Sequence, residues 1–287
     1  MAITDMARAE VLAQAFPYIE RYKGKTIVVK YGGAAMVNEN VREAVVQDLL
    51  LMSSVGIRTV LVHGGGPEID SFLRKVGKEP QFIGGLRYTD EETMDVVQMV
   101  LAGRVNKQLV ALIQRGGGSA IGLCGADGGL LTARRLEGPV DLGLVGEITR
   151  VDPRVLATAL DASFIPVVAT VAMGGIDDDT FYNVNADTAA AELALALRAE
   201  KLILLTDVPG LLRDPHDAGT LIAELPRGEV AALVASGIVS RGMIPKVECC
   251  AKAVTGGVGR AHIIDGRSPH SLLLEVFSDG GIGTMIV

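Results

Sequence analysis

The sequence predicts an α/β fold, a three-layer α/β/α sandwich around a central, mostly parallel, open sheet. Three observations carry this. Short aliphatic runs alternate with longer helical stretches over all 287 residues. The runs are near-continuous in Val, Ile and Leu, as in parallel strands covered on both faces. Several of them end directly in glycine turns, where such sheets present their ligand loops. The predicted strands are Thr26–Lys30, Thr59–His63, Ala120–Leu123, Ile165–Ala169, Leu202–Thr206 and His262–Ile264. The predicted helices are Val41–Val55, Pro67–Val76, Glu91–Arg115, Pro153–Leu160, Asp187–Arg198, Glu229–Ser236, Pro245–Thr255 and Pro269–Phe277. Hydrophobic residues make up 49% of the chain and aromatics only 4%, with no tryptophan, so aliphatic side chains and alanine must fill the core.

Residues 1–23 read as an appendage ahead of the first core strand. Ala7, Val11 and Ala15 form a helical stripe with Leu12 and Phe16 beside it, and Pro17 should end or kink that helix. It is either a loosely packed terminal helix or an interaction element. The strand Thr26–Lys30 then runs into Lys30-Tyr31-Gly32-Gly33, and Thr59–His63 into His63-Gly64-Gly65-Gly66-Pro67. Glycine turns let backbone N–H groups approach an oxyanion, because no side chain stands in the way. Pro67 suits a first helical turn, so a helix N-terminus favourable to anions faces the second cluster. Lys30 is either a strand-end lysine snorkelling to solvent or the charge that meets a phosphate. Neither turn is a Walker A or a Rossmann fingerprint. His63 reads as a satisfied strand-end histidine rather than a base.

Further along, Arg87 in Gly84-Gly85-Leu86-Arg87-Tyr88-Thr89 is the best candidate to grip a carboxylate, through bidentate guanidinium geometry. Gly143–Asp152 reads as a hairpin outside the sheet core, and Asp152-Pro153 as an N-cap followed by the first helical residue. Gly174–Asp179 is a polar break that could divide two lobes. In Asn183-Val184-Asn185-Ala186-Asp187, extended backbone would turn residues 183, 185 and 187 to one side, and Asn185 or Asp187 is also a natural helix cap. An aspartate there would hold nearby lysines. Thr206-Asp207-Val208-Pro209-Gly210 is a turn at the carboxyl edge of the sheet. Lys246, in Gly242-Met243-Ile244-Pro245-Lys246, stands at a helix start, where the dipole disfavours a cation unless an anion relieves it.

The bulk numbers exclude several classes. A net charge of −7 opposes a generic nucleic-acid surface. Cys124, Cys249 and Cys250 form neither a disulfide framework nor a ligand-spaced metal set, which suits a reducing cytosol. No apolar stretch of about 18 residues is evident, and Asp5, Arg8 and Glu10 interrupt any secretory leader. The expected place of work is the cytoplasm.

Together these motifs resemble the amino acid kinase family, in particular its members that act on N-acetyl-L-glutamate. The likeness runs from about Lys25 to Val287. It implies ATP-dependent phosphorylation of the γ-carboxylate of N-acetyl-L-glutamate, the second step of arginine biosynthesis, with Mg²⁺ accompanying ATP. By position, Lys30 and Lys246 would stabilise the phosphoryl group in flight and Asp187 would orient both. Gly32, Gly33 and Gly65 would add N–H donors. Arg87, Gly65, Gly66, Asn183 and Asn185 would line the substrate site. Thr206, Asp207, Val208, Gly210 and Leu211 would lie near the nucleotide. The resemblance further implies a lobe of residues 24–182 for acyl amino acid binding and dimerisation, and a lobe of residues 183–287 for ATP and an effector. Arginine-inhibited members carry an N-terminal helix and form hexamers, trimers of dimers. Tyr18, His262, Glu275 and Gly281 fall at the matching effector positions, although Tyr18 also reads as a packing staple and His262 as a core residue. Photosynthetic members bind a PII signalling protein. Two rival readings stand beside this: another acyl-phosphate kinase, for instance of the aminoadipate type, and a non-catalytic arginine or nucleotide sensor.

Overall fold

Thr26–Tyr31 lies inside an eight-stranded sheet, and the rest of the molecule is arranged around it. The computed structural model describes residues 4–36, 38–214, 216–239 and 242–287. The strand order is Glu224–Leu225, Thr284–Ile286, Arg260–Asp265, Lys201–Thr206, Thr26–Tyr31, Arg58–His63, Ile165–Ala169, Ala120–Cys124. All six predicted strands are in this sheet and all pair in parallel. The two strands not predicted lie at one edge, and Thr284–Ile286 runs antiparallel to its neighbour.

Strand alternation divides the core into two apolar layers. Val28, Val60, Val62, Leu202 and Leu204 face one way, under the helices Ala186–Ala196 and Ile244–Thr255. Ile27, Val29, Leu61, Ile203 and Leu205 face the other, under Glu39–Ser54 and Gly66–Lys75. The sandwich is therefore three-layered, as expected. The stretch Glu91–Arg115 is long and apolar enough to cross a bilayer by length and composition. Here it packs on the sheet through Val97, Leu101, Leu109 and Ile113. Its middle, Met99–Val105, is a π-helical segment between two α-helical ones.

A second sheet of four strands, Phe181–Asn183, Val171–Met173, Leu131–Arg135 and Gly146–Val151, stands beside the main one. Gly146–Val151 pairs antiparallel with Leu131–Arg135, so the Gly143–Asp152 excursion is a hairpin arm as read. Phe82–Ile83 and Leu86–Arg87 form a separate small hairpin.

Three local expectations need correction. Pro17 does not end the first helix, which runs from Asp5 to Tyr22 with the proline inside. An interior proline costs a ladder hydrogen bond and crowds the carbonyl four residues back, but Tyr22, buried beyond it, ties the last turn to the core. The helix predicted from Pro153 begins at Arg154, though Asp152 still accepts the Arg154 N–H at 3.2 Å. Residues 183, 185 and 187 do not make one polar face. The extended backbone stops at Asn185, whose side chain caps the next helix by accepting the N–H groups of Asp187 and Thr188 at 2.9 and 3.1 Å.

Candidate active site

Lys30 is the penultimate residue of Thr26–Tyr31 and Lys246 lies in the first turn of Ile244–Thr255, and both meet Asp187. Lys30 Nζ is 2.8 Å from Asp187 Oδ1 and Lys246 Nζ is 2.6 Å from Oδ2. Asn185 takes the cap, which frees Asp187, two residues later, to face the lysines. Burial raises the Asp187 pKa, but the two ammonium groups overcome this and hold it at about 2. The Lys30 side chain folds back over Gly32, where a Cβ would stand 3.2 Å from Lys30 Cε. Two cations share one carboxylate, so the cluster keeps a net positive charge. Its lysine side chains are only 10% and 20% exposed, too little for water to neutralise that charge cheaply. The dipole conflict at Lys246 is relieved by Asp187 and would be relieved further by an anion.

The glycine cluster adjoins these groups. A Cβ on Gly64 would be 3.5 Å from Ala186 Cβ, and one on Gly32 would be 3.7 Å from Gly64 N. At Gly65 a Cβ would stand 2.7 Å from Leu101 Cδ2, so a side chain there would have to displace Leu101 of the π-helical segment. Gly33 has φ of +67°, a conformation that costs glycine little. His63 is fully buried, and burial pulls its pKa down to about 4. It is a neutral, satisfied strand-end histidine, as read.

Arg87 comes to the same neighbourhood from the small hairpin. Its guanidinium donates to Asp70 Oδ1 at 2.5 Å and to Gly66 O at 3.3 Å, and stacks 4.8 Å from the Phe82 ring centre. Guanidinium has five N–H donors, so others remain for a carboxylate. Asn183 Nδ2 donates to Thr89 Oγ1, which in turn donates to Arg87 O. Arg87, Gly66 and Asn183 are thus one cluster, beside the lysine cluster. Asn185 is turned to its own helix instead. Asp70 and Thr89 were missed in the sequence, since an acid and a threonine on amphipathic segments carry no signal of their own.

Asp207, Val208, Gly210 and Leu211 line a groove of about 240 Å³ with Met243 and Arg267. Thr206 itself is buried, its hydroxyl bonded to Val208 O and Ile264 O at 3.0 and 3.2 Å, so it shapes the turn. Gly210 has φ of +146° and approaches Thr284 too closely for a side chain.

Tyr18, His262, Glu275 and Gly281 meet around a cavity of about 250 Å³ at the other end of the strands. Glu275 Oε1 is 2.7 Å from His262 Nδ1 and 3.2 Å from Lys201 Nζ, and Oε2 accepts the Ile282 N–H at 3.1 Å. Burial raises the Glu275 carboxyl, but His262 and Lys201 hold it below the usual range. Burial depresses His262, so Lys201 supplies the permanent cation. His262 Nε2 is buried and has no partner among the described residues. Lys201 was missed in the sequence; a lysine heading the aliphatic run Leu202–Leu205 was the available signal.

The model of the amino acid kinase family matches residues 25–265. The acetylglutamate kinase of Clostridium beijerinckii is 56% identical over 279 residues, covering 97% of this chain and 98% of its own. The N-acetylglutamate synthase of Neisseria gonorrhoeae, solved with coenzyme A and N-acetyl-glutamate, superposes with a TM-score of 0.84 at 30% identity, over 97% of this chain and 63% of that one. The same synthase has been solved with coenzyme A and L-arginine, with a TM-score of 0.81 at 27% identity, over 97% of this chain and 65% of that one. The chain belongs to the amino acid kinase family, on its acetylglutamate kinase branch.

Proposed function

We propose that this chain transfers the γ-phosphoryl group of ATP to the γ-carboxylate of N-acetyl-L-glutamate, giving N-acetyl-L-glutamyl 5-phosphate for arginine biosynthesis. The observation that carries the reading is the pair of lysines, one buried and one half-buried, with a single carboxylate between them. An attacking carboxylate and a triphosphate are both anions, and their approach needs fixed positive charge. The carboxylate is already ionised at neutral pH, so no general base is required. Lys30 and Lys246 neutralise the group in flight, and Asp187 keeps their ammonium groups in place beforehand. The backbone of Gly32, Gly33 and Gly65 adds donors. Mg²⁺ enters with the nucleotide phosphates, because Asp187 is already engaged by two lysines. The Asp207–Leu211 groove takes the nucleotide, within a lobe of residues 183–287. Residues 24–182 form the acyl amino acid lobe. The test is coupled ATP turnover with N-acetylglutamate against glutamate; equal rates with both would remove the acyl specificity.

Arg87 grips the substrate α-carboxylate, with Gly66 and Asn183 beside it. Arg87→Lys is expected to raise the KM for N-acetylglutamate by roughly tenfold or more, because one ammonium cannot reproduce a bidentate fork that also holds Asp70. The KM for ATP should stay within a factor of about two. An unchanged KM for the acyl amino acid would remove this role.

The cavity at Tyr18, Lys201, His262, Glu275 and Gly281 takes arginine as a feedback inhibitor. Glu275 faces the effector guanidinium and Lys201 its carboxylate. The N-terminal helix, with Val11, Leu12 and Phe16 each at least 60% exposed, joins dimers into a hexamer in the cytoplasm. Glu275→Gln is expected to raise the arginine concentration for half-inhibition by about tenfold or more, while basal turnover is kept. Dose–response curves for the full-length protein check this, and an insensitive wild type would dispose of the effector site.

A further inference from the structure

Two side chains, His63 and Asn106, set the direction of the Gly64–Gly65 peptide from behind. Asn106 Nδ2 lies 2.8 Å from Val167 O and 3.2 Å from Leu123 O, on two neighbouring strands of the main sheet. Two carbonyl oxygens repel an amide oxygen, so this amide has one orientation. Lys107 Nζ, 3.1 Å from Asn106 Oδ1, agrees with it. The amide nitrogen has two protons for three partners, and a proton on His63 Nε2, 3.1 Å away, would point straight at them, so Nε2 is the accepting ring atom. The ring proton is then on Nδ1, which donates to Gly64 O at 2.8 Å. In a trans peptide the C=O and the following N–H point in opposite directions. With Gly64 O held by His63, the Gly65 N–H is turned the other way. Gly65 is buried, and among the described residues its N–H meets no protein acceptor. Buried backbone N–H groups without a partner are rare, and at the N-cap of a helix such a donor is available to an anion.

We propose that His63 and Asn106 are positioning residues that aim the Gly65 N–H at the oxygen on which charge develops during phosphoryl transfer. The inference rests on the kinase reading above. Neither side chain touches substrate and neither moves a proton. Two strand carbonyls fix an amide, the amide fixes a tautomer, and the tautomer fixes a peptide plane. Leu101, from the adjoining π-helical segment, occupies the space where a Gly65 side chain would stand. A donor preset in this way needs no reorganisation when the transition state forms.

The test compares full-length wild type, His63→Leu and His63→Asn. An asparagine amide can donate from nearly the position of Nδ1, and leucine cannot. His63→Leu is expected to lower kcat by about tenfold or more, with both KM values within about twofold. His63→Asn should recover most of that loss. Calorimetry with MgADP, aluminium fluoride and N-acetylglutamate, a mimic of the transferring group, should show about tenfold weaker binding to His63→Leu, with MgADP alone unchanged. A purely structural histidine would lower the Tm in both variants and leave this pattern absent. Wild-type kcat in a folded His63→Leu, or His63→Asn no better than His63→Leu, overturns the inference. If His63→Leu does not fold, Asn106→Ser takes its place: reduced kcat at unchanged KM supports the inference and unchanged kcat overturns it. A wild type unable to phosphorylate N-acetylglutamate overturns the kinase reading itself, which is a distinct result.

Discussion

Lys246→Ala is expected to lower kcat by on the order of a hundredfold or more, and Lys30→Ala to do the same. Each lysine reaches Asp187 from a different layer, Lys30 from a sheet strand and Lys246 from a covering helix. Their positions are therefore independent of each other except through that carboxylate. Removing either ammonium leaves Asp187 with one partner and brings the cluster from net positive to neutral. A neutral cluster no longer favours two approaching anions, and the loss falls on the transition state more than on substrate binding. Steady-state ATP turnover at saturating N-acetylglutamate measures it. Near-wild-type kcat in either variant would contradict the assignment. Lys30→Arg should also be poor, since the Lys30 ammonium is a compact point charge packed close over Gly32 and a larger planar fork would not take the same place.

Asp187→Asn should be as damaging to kcat, by on the order of a hundredfold, and it adds a stability signature. The neutral amide no longer balances the two ammonium groups, which then repel each other and leave their productive positions. The carboxyl of Asp187 is held at about 2 in the fold, below its ordinary value of 3.8. Its ionised form therefore contributes stability that is fully present above about pH 4 and is lost as the pH falls toward 2. The size is roughly 2 kcal/mol. Thermal unfolding between pH 5 and pH 2, in steps, should show a steeper acid decline for wild type than for the variant. Parallel declines would mean that the lysines do not hold this carboxylate.

Much of this arrangement is legible in the sequence because its chemistry sits where regular elements stop. Strands such as Thr26–Tyr31 are long aliphatic runs, so their ends, and Lys30 and His63 with them, can be placed within a residue. Lys246 is marked by the proline beside it, and Asp187 by the Asn185 cap. The strands Val171–Met173, Phe181–Asn183 and Thr284–Ile286 are three residues each, too short for a period of two to declare itself. Asp70 and Lys201 acquire meaning only through partners 17 and 74 residues away. Asn106 is less visible still. It lies inside an apolar helix, and its role depends on carbonyls from two strands that only the fold brings near it.

The strand Lys201–Thr206 has its ends in two different places. Lys201 is paired with Glu275 at the Tyr18 cavity, while Thr206 opens the turn that leads into the Asp207–Leu211 groove. Five residue rises separate them, roughly 17 Å. The whole strand is buried and is flanked on both sides by parallel neighbours, Thr26–Tyr31 and Arg260–Asp265. Such a strand neither stretches nor bends locally. It would act as a pushrod: a displacement of Lys201 along the strand would be carried toward Thr206, since no loop lies between them to absorb it.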